Sequence, residues 1–373
     1  MTRLVRAAEL QVGARLARDV LSGRPATAPL LRAGATVTEG YKQALARAGV
    51  GGVWVDDALG EGIESSPALD EGTRLAVTNA LSGAFAEVPA ALAEERPLPA
   101  ESVHALESTV GSIIDAVTHA DTATLALASL AAVDAYTLEH SIDVTVLGLL
   151  LADRLFRTHG RIDARGNRTH HEIDGALRRL GFGLLLHDIG KLAIDPRILN
   201  KPGRLDEAEV ALVRRHPELG VQLLADGGVS AHAMAVVRSH HERLDGHGYP
   251  DGLTGPEIPQ FARIAAVADV FSAVTTRRPY HDAVPPHQAL RIIRAGAGAH
   301  LDPEVVAILC DVVAPYPPGS KLTLADGRRA VVVRVPSDRL DRPVVRIVQD
   351  AEGDPVDPLE VDLGELPALA PAA

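Results

Sequence analysis

One stretch, Leu184-Leu185-Leu186-His187-Asp188-Ile189-Gly190-Lys191, constrains the fold of this chain more than any other. An apolar helical run delivers an adjacent histidine and aspartate, then a lysine. Neighbouring residues on a helix point about 100° apart, so His187 and Asp188 both reach one cluster only where their helix flanks a pocket. Standing alone, such a pair is most often a coincidence of surface polarity. What gives it weight is a series of further histidines and carboxylates, placed where a buried metal site needs them.

A helix predicted from about Thr137 to Arg157 carries His140 and an apolar stripe of Val144, Leu147, Leu151 and Leu155. By itself that histidine reads as structural more often than as a ligand. After the central stretch come a turn at Pro202-Gly203 and a helix from Asp206 running into His216-Pro217 and Gly220. Ser239-His240-His241-Glu242 then reads as a helix end, followed by a constrained loop rich in glycine that contains Gly248-Tyr249-Pro250. A further apolar helix, Arg263 to Phe271, presents Asp269 on an otherwise apolar face, where an unpaired carboxylate is costly to bury. A cation must compensate for it, an arginine or a metal. By contrast, His170-His171 lie in a polar segment without an apolar frame and are expected to form an exposed loop pair.

His140, His187, Asp188, His216, His240, His241 and Asp269 together offer nitrogen and oxygen donors without sulfur, Cys310 being the only cysteine. Such donors favour Fe, Mn, Zn, Co or Ni over soft-metal chemistry. Seven ligands exceed one coordination sphere and match two ions sharing a bridge. Asp188 is the natural bridge, because a carboxylate offers one oxygen to each ion. His140, His187 and Asp269 complete one sphere; His216, His240 and His241 complete the other. Two ions roughly 3.5–4 Å apart can share a hydroxide and clamp a phosphoryl oxygen. The bridging hydroxide would be the nucleophile of a phosphoester hydrolysis.

The rest of the chain divides around this region. Its 373 residues suggest two or three domains. Residues 1–56 alternate short β-like pieces with one helix, starting at Thr38 and stopping at Gly49. This small α+β domain lacks clustered catalytic residue types and reads as a regulatory or partner-binding module. Residues 57–71 are acidic and contain Gly, Ser and Pro, as in a linker. Residues 72–314 are helical, with a stripe of Val103, Leu106, Val110, Ile113, Ile114 and Val117 and a second helix beginning at 125–133. Such helices could make a homodimer, though a core-facing stripe is the more frequent meaning. Residues 315–366 form a small β domain with a hairpin turn at Asp326-Gly327, and the tail 367–373 is expected to be disordered.

With aromatics at 3%, the core must be built from Leu, Val, Ala and Ile. A net charge of −12 gives no support to DNA, RNA or anionic membranes as partners, so an anionic substrate must be held locally, by metals and a few cations. The single cysteine excludes an intrachain disulfide and points to a reducing compartment. The N-terminus carries no signal-peptide pattern, and the longest apolar stretches, 125–133 and 144–152, are too short to span a bilayer. The expected location is cytoplasmic.

The segments around His140, Leu186 to Lys191, His216-Pro217 with Gly220, His240 to Pro250, and Arg263 with Val267 to Phe271 resemble, in this order, the HD-GYP domain of the HD phosphohydrolase superfamily. The likeness covers about 130–310. It implies a mainly α fold: an HD-type helical bundle, here flanked by the small N-terminal α+β domain and the small C-terminal β domain. It also implies hydrolysis of the bacterial second messenger cyclic di-GMP, with either linear pGpG or GMP as the end product, at a bi- or trinuclear site, often of iron or manganese. Carried over by residue, Lys191, one turn after His187 on the same face, contacts the scissile phosphate and stabilises developing charge. Arg278 stands at the position of a phosphate-binding arginine, and His281 where many members have lysine or arginine. Tyr249 is expected to line the pocket mouth and meet substrate. Its loop reads equally well as purely structural, and it or the N-terminal domain could dock signalling proteins. Trinuclear members have a glutamate where this chain has Tyr136, which implies two metals here. Ser272 replaces a usual acid and Leu244 a common tryptophan, and neither change removes a ligand. The rivals are an HD phosphohydrolase acting on another cyclic dinucleotide or nucleotide, and a cyclic di-GMP-binding adaptor with little turnover. The complete ligand set speaks against the adaptor.

Overall fold

In the N-terminal part, strands β1 (Thr2–Arg6) and β2 (Gly52–Asp56) pair antiparallel around helix α1 (Glu39–Arg47). The structure is a computed structural model that describes residues 2–7, 10–17, 19–20, 29–48, 50, 52–56, 63, 69–119, 136–163, 165–201, 203–225, 227–276 and 284–371. Thr38 starts α1 as the sequence predicts: its side-chain oxygen accepts the Tyr41 N–H, satisfying one of the free donors of the first turn. Leu10, Leu16, Val37, Leu45, Val53 and Val55 form the core of this piece.

Helices α2 (Glu71–Ala86), α3 (Val88–Ala93) and α4 (Ala100–His119) follow. Asp70 caps α2 by accepting the Thr73 N–H at 2.9 Å. The stretch Gly72–Ala93 is long and apolar enough to cross a membrane by length and composition, which the sequence reading overlooked. It is interrupted at Glu87, and Pro89 sits in the first turn of α3. Its inward side chains, Val77, Leu81, Val88 and Ala91, are buried. The predicted stripe of α4 is buried as well, and α4 packs on α2 and on α6 (Ile173–Leu186). The helix expected at 125–133 lies outside the described residues.

Helix α5 (Tyr136–His159) leads into a two-residue hairpin, β3 (Arg161–Ile162) and β4 (Arg168–Thr169), and then into α6. His170 is not free in this polar segment: its Nδ1 donates to the Phe156 carbonyl at 3.0 Å. Then come α7 (Pro196–Leu199), α8 (Glu207–Val213), α9 (His216–Leu224) and α10 (Ala231–Ser239). The single helix expected from Asp206 into His216 is two helices, with Asp206 and Glu209 forming a capping box on the first. Pro217, which lacks an N–H and fits only the first turn of a helix, accounts for the restart at His216. Helices α11 (Gln260–Thr275), α12 (Pro286–Gly296) and α13 (Pro303–Val312) complete the bundle.

The C-terminal strands β5 (Lys321–Thr323), β6 (Arg329–Arg334), β7 (Val344–Gln349) and β8 (Pro355–Asp362) form one antiparallel sheet in that order. Gly327, at φ 89°, makes the expected turn between β5 and β6. Strand β8 was not expected. The tail is not disordered through Pro371: the Ala325 N–H donates to the Ala370 carbonyl at 2.9 Å, and Leu324 bridges Pro371. The fold is therefore mainly α, with a helical bundle and small flanking α+β and β parts. Residues 68–120 and 137–312 make one compact unit; residues 1–67 and 313–373 belong to the other. Within the latter, Ile63, in the segment predicted as a linker, is buried against Val331 and Val348.

Candidate metal centre

Helix α6 stops at Leu186, earlier than the sequence suggests. His187 is its C-cap, and Ile189–Ala193 tighten into a 3₁₀ turn. This turn brings Gly190 so close to the start of α9 that a Cβ there would run into the His216 carbonyl. His187 and Asp188 thus reach the same cluster from a helix end, and the 100° separation of neighbours within a helix does not apply. Lys191 is correspondingly aligned with Asp188, not His187, and its Nζ meets Asp188 Oδ2 at 2.5 Å.

All seven candidate ligands converge. His140 comes from α5, Asp269 from α11, His216 from the first residue of α9, and His240 and His241 from the end of α10. His140, His187 and Asp269 gather as one set of donors; Asp188, His216, His240 and His241 gather as another. Asp188 stands between them. Its Oδ2 lies 3.4 Å from His187 Nε2 and 3.7 Å from His140 Nε2, whereas its Oδ1 lies 3.3 Å from His216 Nε2 and 3.7 Å from His240 Nε2. Asp269 also spans the sets, which the sequence reading missed, with Oδ1 2.9 Å from His140 Nε2 and Oδ2 3.8 Å from His241 Nδ1.

The ring orientations are fixed by the main chain. Nδ1 of His187 faces the Leu184 carbonyl at 2.7 Å, that of His216 the Val213 carbonyl at 2.8 Å, and that of His240 the Val236 carbonyl at 3.0 Å. A carbonyl can only accept, so each Nδ1 carries the proton and each Nε2 turns a lone pair toward the cluster. His140 differs: its Nε2 faces the Asp269 carboxylate at 2.9 Å and carries the proton, while the Ser272 hydroxyl, 3.0 Å from Nδ1, donates to the other nitrogen.

Burial keeps three of the imidazoles neutral, and His187 departs from them. Burial drives His216 down to about 3 and holds His241 well below the usual imidazole range, so both stay neutral. Burial also lowers His140, against the pull of Asp269. At His187 burial is outweighed by the carboxylate of Asp188, and the imidazole sits above its ordinary value. Burial disfavours the charged forms of Asp188 and Asp269, yet Lys191 and His187 on one and His140 on the other hold both well below the carboxylate range.

These residues fit a metal pair. His187 Nε2 and Asp188 Oδ1 are buried without an aligned hydrogen-bond partner. His216 Nε2 and His240 Nε2 face each other at 3.2 Å with both Nδ1 protons committed elsewhere. Two imidazole lone pairs aimed at each other call for a cation between or beside them.

Around the cluster, Tyr249 stacks on His241 with ring centroids 4.7 Å apart and meets His216 edge-on at 6.3 Å. Burial and the nearby Asp269 and Asp188 raise its phenol, which stays neutral. The loop carrying Tyr249 is tied by Glu242, a buried side chain whose carboxylate accepts the N–H groups of Asp251, Gly252 and Leu253. The sequence reading assigned Glu242 no role; its only signal was an acid directly after a histidine pair. Behind His140, Arg74 of α2 pairs with Glu139 at 2.5 Å and Asp143 at 3.1 Å and so fastens α5. The proposed phosphate contacts Arg278 and His281 lie outside the described residues, as does the Tyr136 side chain.

A family model described as an HD domain matches residues 166–305. A Pseudomonas aeruginosa protein named a cyclic di-GMP phosphodiesterase is 34% identical over 345 residues, covering 86% of this chain and 79% of the relative. The chain belongs to the HD-GYP family. Other relatives match over about a third of the chain: a 3'3'-cGAMP-specific phosphodiesterase of Vibrio cholerae is 43% identical over 125 residues, 34% of this chain and 27% of that protein. A solved structure of an HDG"Y"P protein from Bdellovibrio bacteriovorus shares the fold, with a TM-score of 0.53 at 16% identity over 84% of this chain and 99% of that one.

Proposed function

We infer that this HD-GYP protein is a metal-dependent phosphodiesterase that hydrolyses cyclic di-GMP to linear pGpG. The observation that carries the reading is the Asp188 carboxylate, with imidazoles on both of its oxygens and an ammonium on one. In this reading His140, His187, Asp188 and Asp269 hold one ion, and Asp188, His216, His240 and His241 hold the other. Iron or manganese suits the sulfur-free set best, with zinc, cobalt and nickel as substitutes. When bound, such a pair supplies Lewis-acid polarisation of a phosphoryl oxygen and a water that deprotonates near neutral pH.

The chain's own groups do the rest. Lys191 holds a positive charge beside Asp188, where a non-bridging phosphate oxygen gains negative charge during cleavage. Tyr249 offers a neutral aromatic face at the mouth, and Glu242 keeps that face in place. Arg278 and His281 remain the proposed phosphate contacts. Residues 1–56 act as a regulatory or partner-binding domain of a cytoplasmic enzyme, with residues 315–366 as a second flanking module. Homodimerisation, and docking of signalling proteins by the Gly248-Tyr249-Pro250 loop, belong to the same proposal.

The test is metal analysis and product chromatography on anaerobically purified protein. The expected result is two ions per chain and release of pGpG that stops on chelation. Turnover that survives complete metal removal overturns the reading. The cGAMP-specific Vibrio relative supports a second reading, in which 3'3'-cGAMP is the preferred substrate; turnover of the two dinucleotides side by side separates them.

A further inference from the structure

Four cations around the cluster are already paired: Lys191 with Asp188, Arg238 with Asp251, Arg243 with Asp245, and Arg263 with Asp302, all at 2.5–2.7 Å. Arg214 differs. It caps the C-terminus of α8, two residues before His216, and its side chain is exposed. Among the described residues no carboxylate lies within ion-pair distance of it. Its guanidinium carbon instead stands 5.3 Å from the centroid of the Tyr249 ring, the same ring that stacks on His241.

A guanidinium against an aromatic ring keeps its edge donors available while the ring restrains it. Arg214 is thus a positioned cation with unspent donors, one aromatic neighbour away from two candidate ligands, on a chain whose net charge is −12. A cyclic dinucleotide carries two phosphodiester anions. One of them must sit at Asp188 and Lys191 to be cut, and the macrocycle then holds the other outside the buried cluster. We propose that Arg214 binds this second, uncut phosphodiester and so favours cyclic dinucleotides over simple diesters. The proposal rests on the reading that the substrate is a cyclic dinucleotide.

The experiment compares wild type, Arg214→Ala and Arg214→Lys as metal-loaded full-length chains. Two substrates are used, cyclic di-GMP and bis(4-nitrophenyl) phosphate, which has a single phosphodiester. Calorimetric binding of a bis-phosphorothioate cyclic di-GMP adds a readout independent of turnover. Loss of a charge-assisted contact at a solvated rim predicts that Arg214→Ala raises KM and Kd for the dinucleotide about tenfold, with kcat within about twofold. The KM of the small diester stays within about twofold, and Arg214→Lys recovers most of the dinucleotide affinity, because a phosphate accepts either cation. Equal weakening of both substrates overturns the proposal, as does no weakening of either. So does failure of lysine to rescue, which would indicate recognition of a guanine base by the planar guanidinium. If wild type cuts 3'3'-cGAMP and not cyclic di-GMP, the substrate reading fails on its own. The Arg214 comparison then runs unchanged with 3'3'-cGAMP, which also has two phosphodiesters.

Discussion

The two sets of donors differ in how far their atoms satisfy one another. In one, His140 and Asp269 share a contact of 2.9 Å and Ser272 occupies the remaining ring nitrogen. In the other, His216 and His240 bring nitrogen against nitrogen at 3.2 Å, and backbone carbonyls have already taken both Nδ1 protons. The first set is a hydrogen-bonded pair that an ion must compete with. The second is an arrangement of acceptors whose stability depends on a cation, because buried acceptors facing each other lack any donor. Asp188, with one oxygen turned to each set, is the element common to both.

The largest effect should come from that common element. Asp188→Asn should strip both ions and lower turnover by about a thousandfold or more; metal content per chain, measured with activity, checks this. A variant that keeps one ion and most of its activity would break the assignment of Asp188 as the bridge.

Next is a test of the contrast itself, made on chelated protein by thermal unfolding. His140→Leu leaves Asp269 buried without its partner, at a cost of about 3 kcal/mol, and should lower Tm by several degrees. His240→Leu removes one of two opposed acceptors and should leave the Tm of the metal-free protein nearly unchanged. Equal losses in the two variants would erase the distinction drawn between the sets.

The smallest effect concerns the rim. Glu242→Gln exchanges one acceptor oxygen for an amide that cannot accept from the loop N–H groups, loosening the support of Tyr249. KM should rise about three- to tenfold while metal content stays at the wild-type level. Loss of metal instead would place Glu242 in support of His240 and His241 rather than of the loop.

The convergence was legible because His187 and Asp188 end one apolar run and Asp269 interrupts another, places where a polar residue has either to be exposed or to have a partner. The bundle was legible for the same reason, from stripes such as Val103, Leu106 and Val110. Helix ends were not: nothing in Leu186-His187-Asp188 announces the 3₁₀ turn, which depends on the packing of Gly190 against a segment 26 residues further on. Strand β8 was missed because Pro355-Val-Asp-Pro-Leu-Glu-Val-Asp362 lies largely exposed along the sheet edge, so its side chains show no alternation between core and solvent. The roles of Ser272, Glu242 and Arg214 were hidden because their partners, His140, the backbone of 251–253 and Tyr249, are set by tertiary structure alone.

The bare Cα of Gly190 has a consequence for how such a centre can change. With no side chain between it and the peptide group of His216, the segments bearing Asp188 and His216 rest main chain on main chain. Their separation is then a property of the scaffold, which rotamer changes cannot adjust. Substitutions elsewhere can retune the chemistry of the cluster, but the gauge between its two halves is cast into the polypeptide itself.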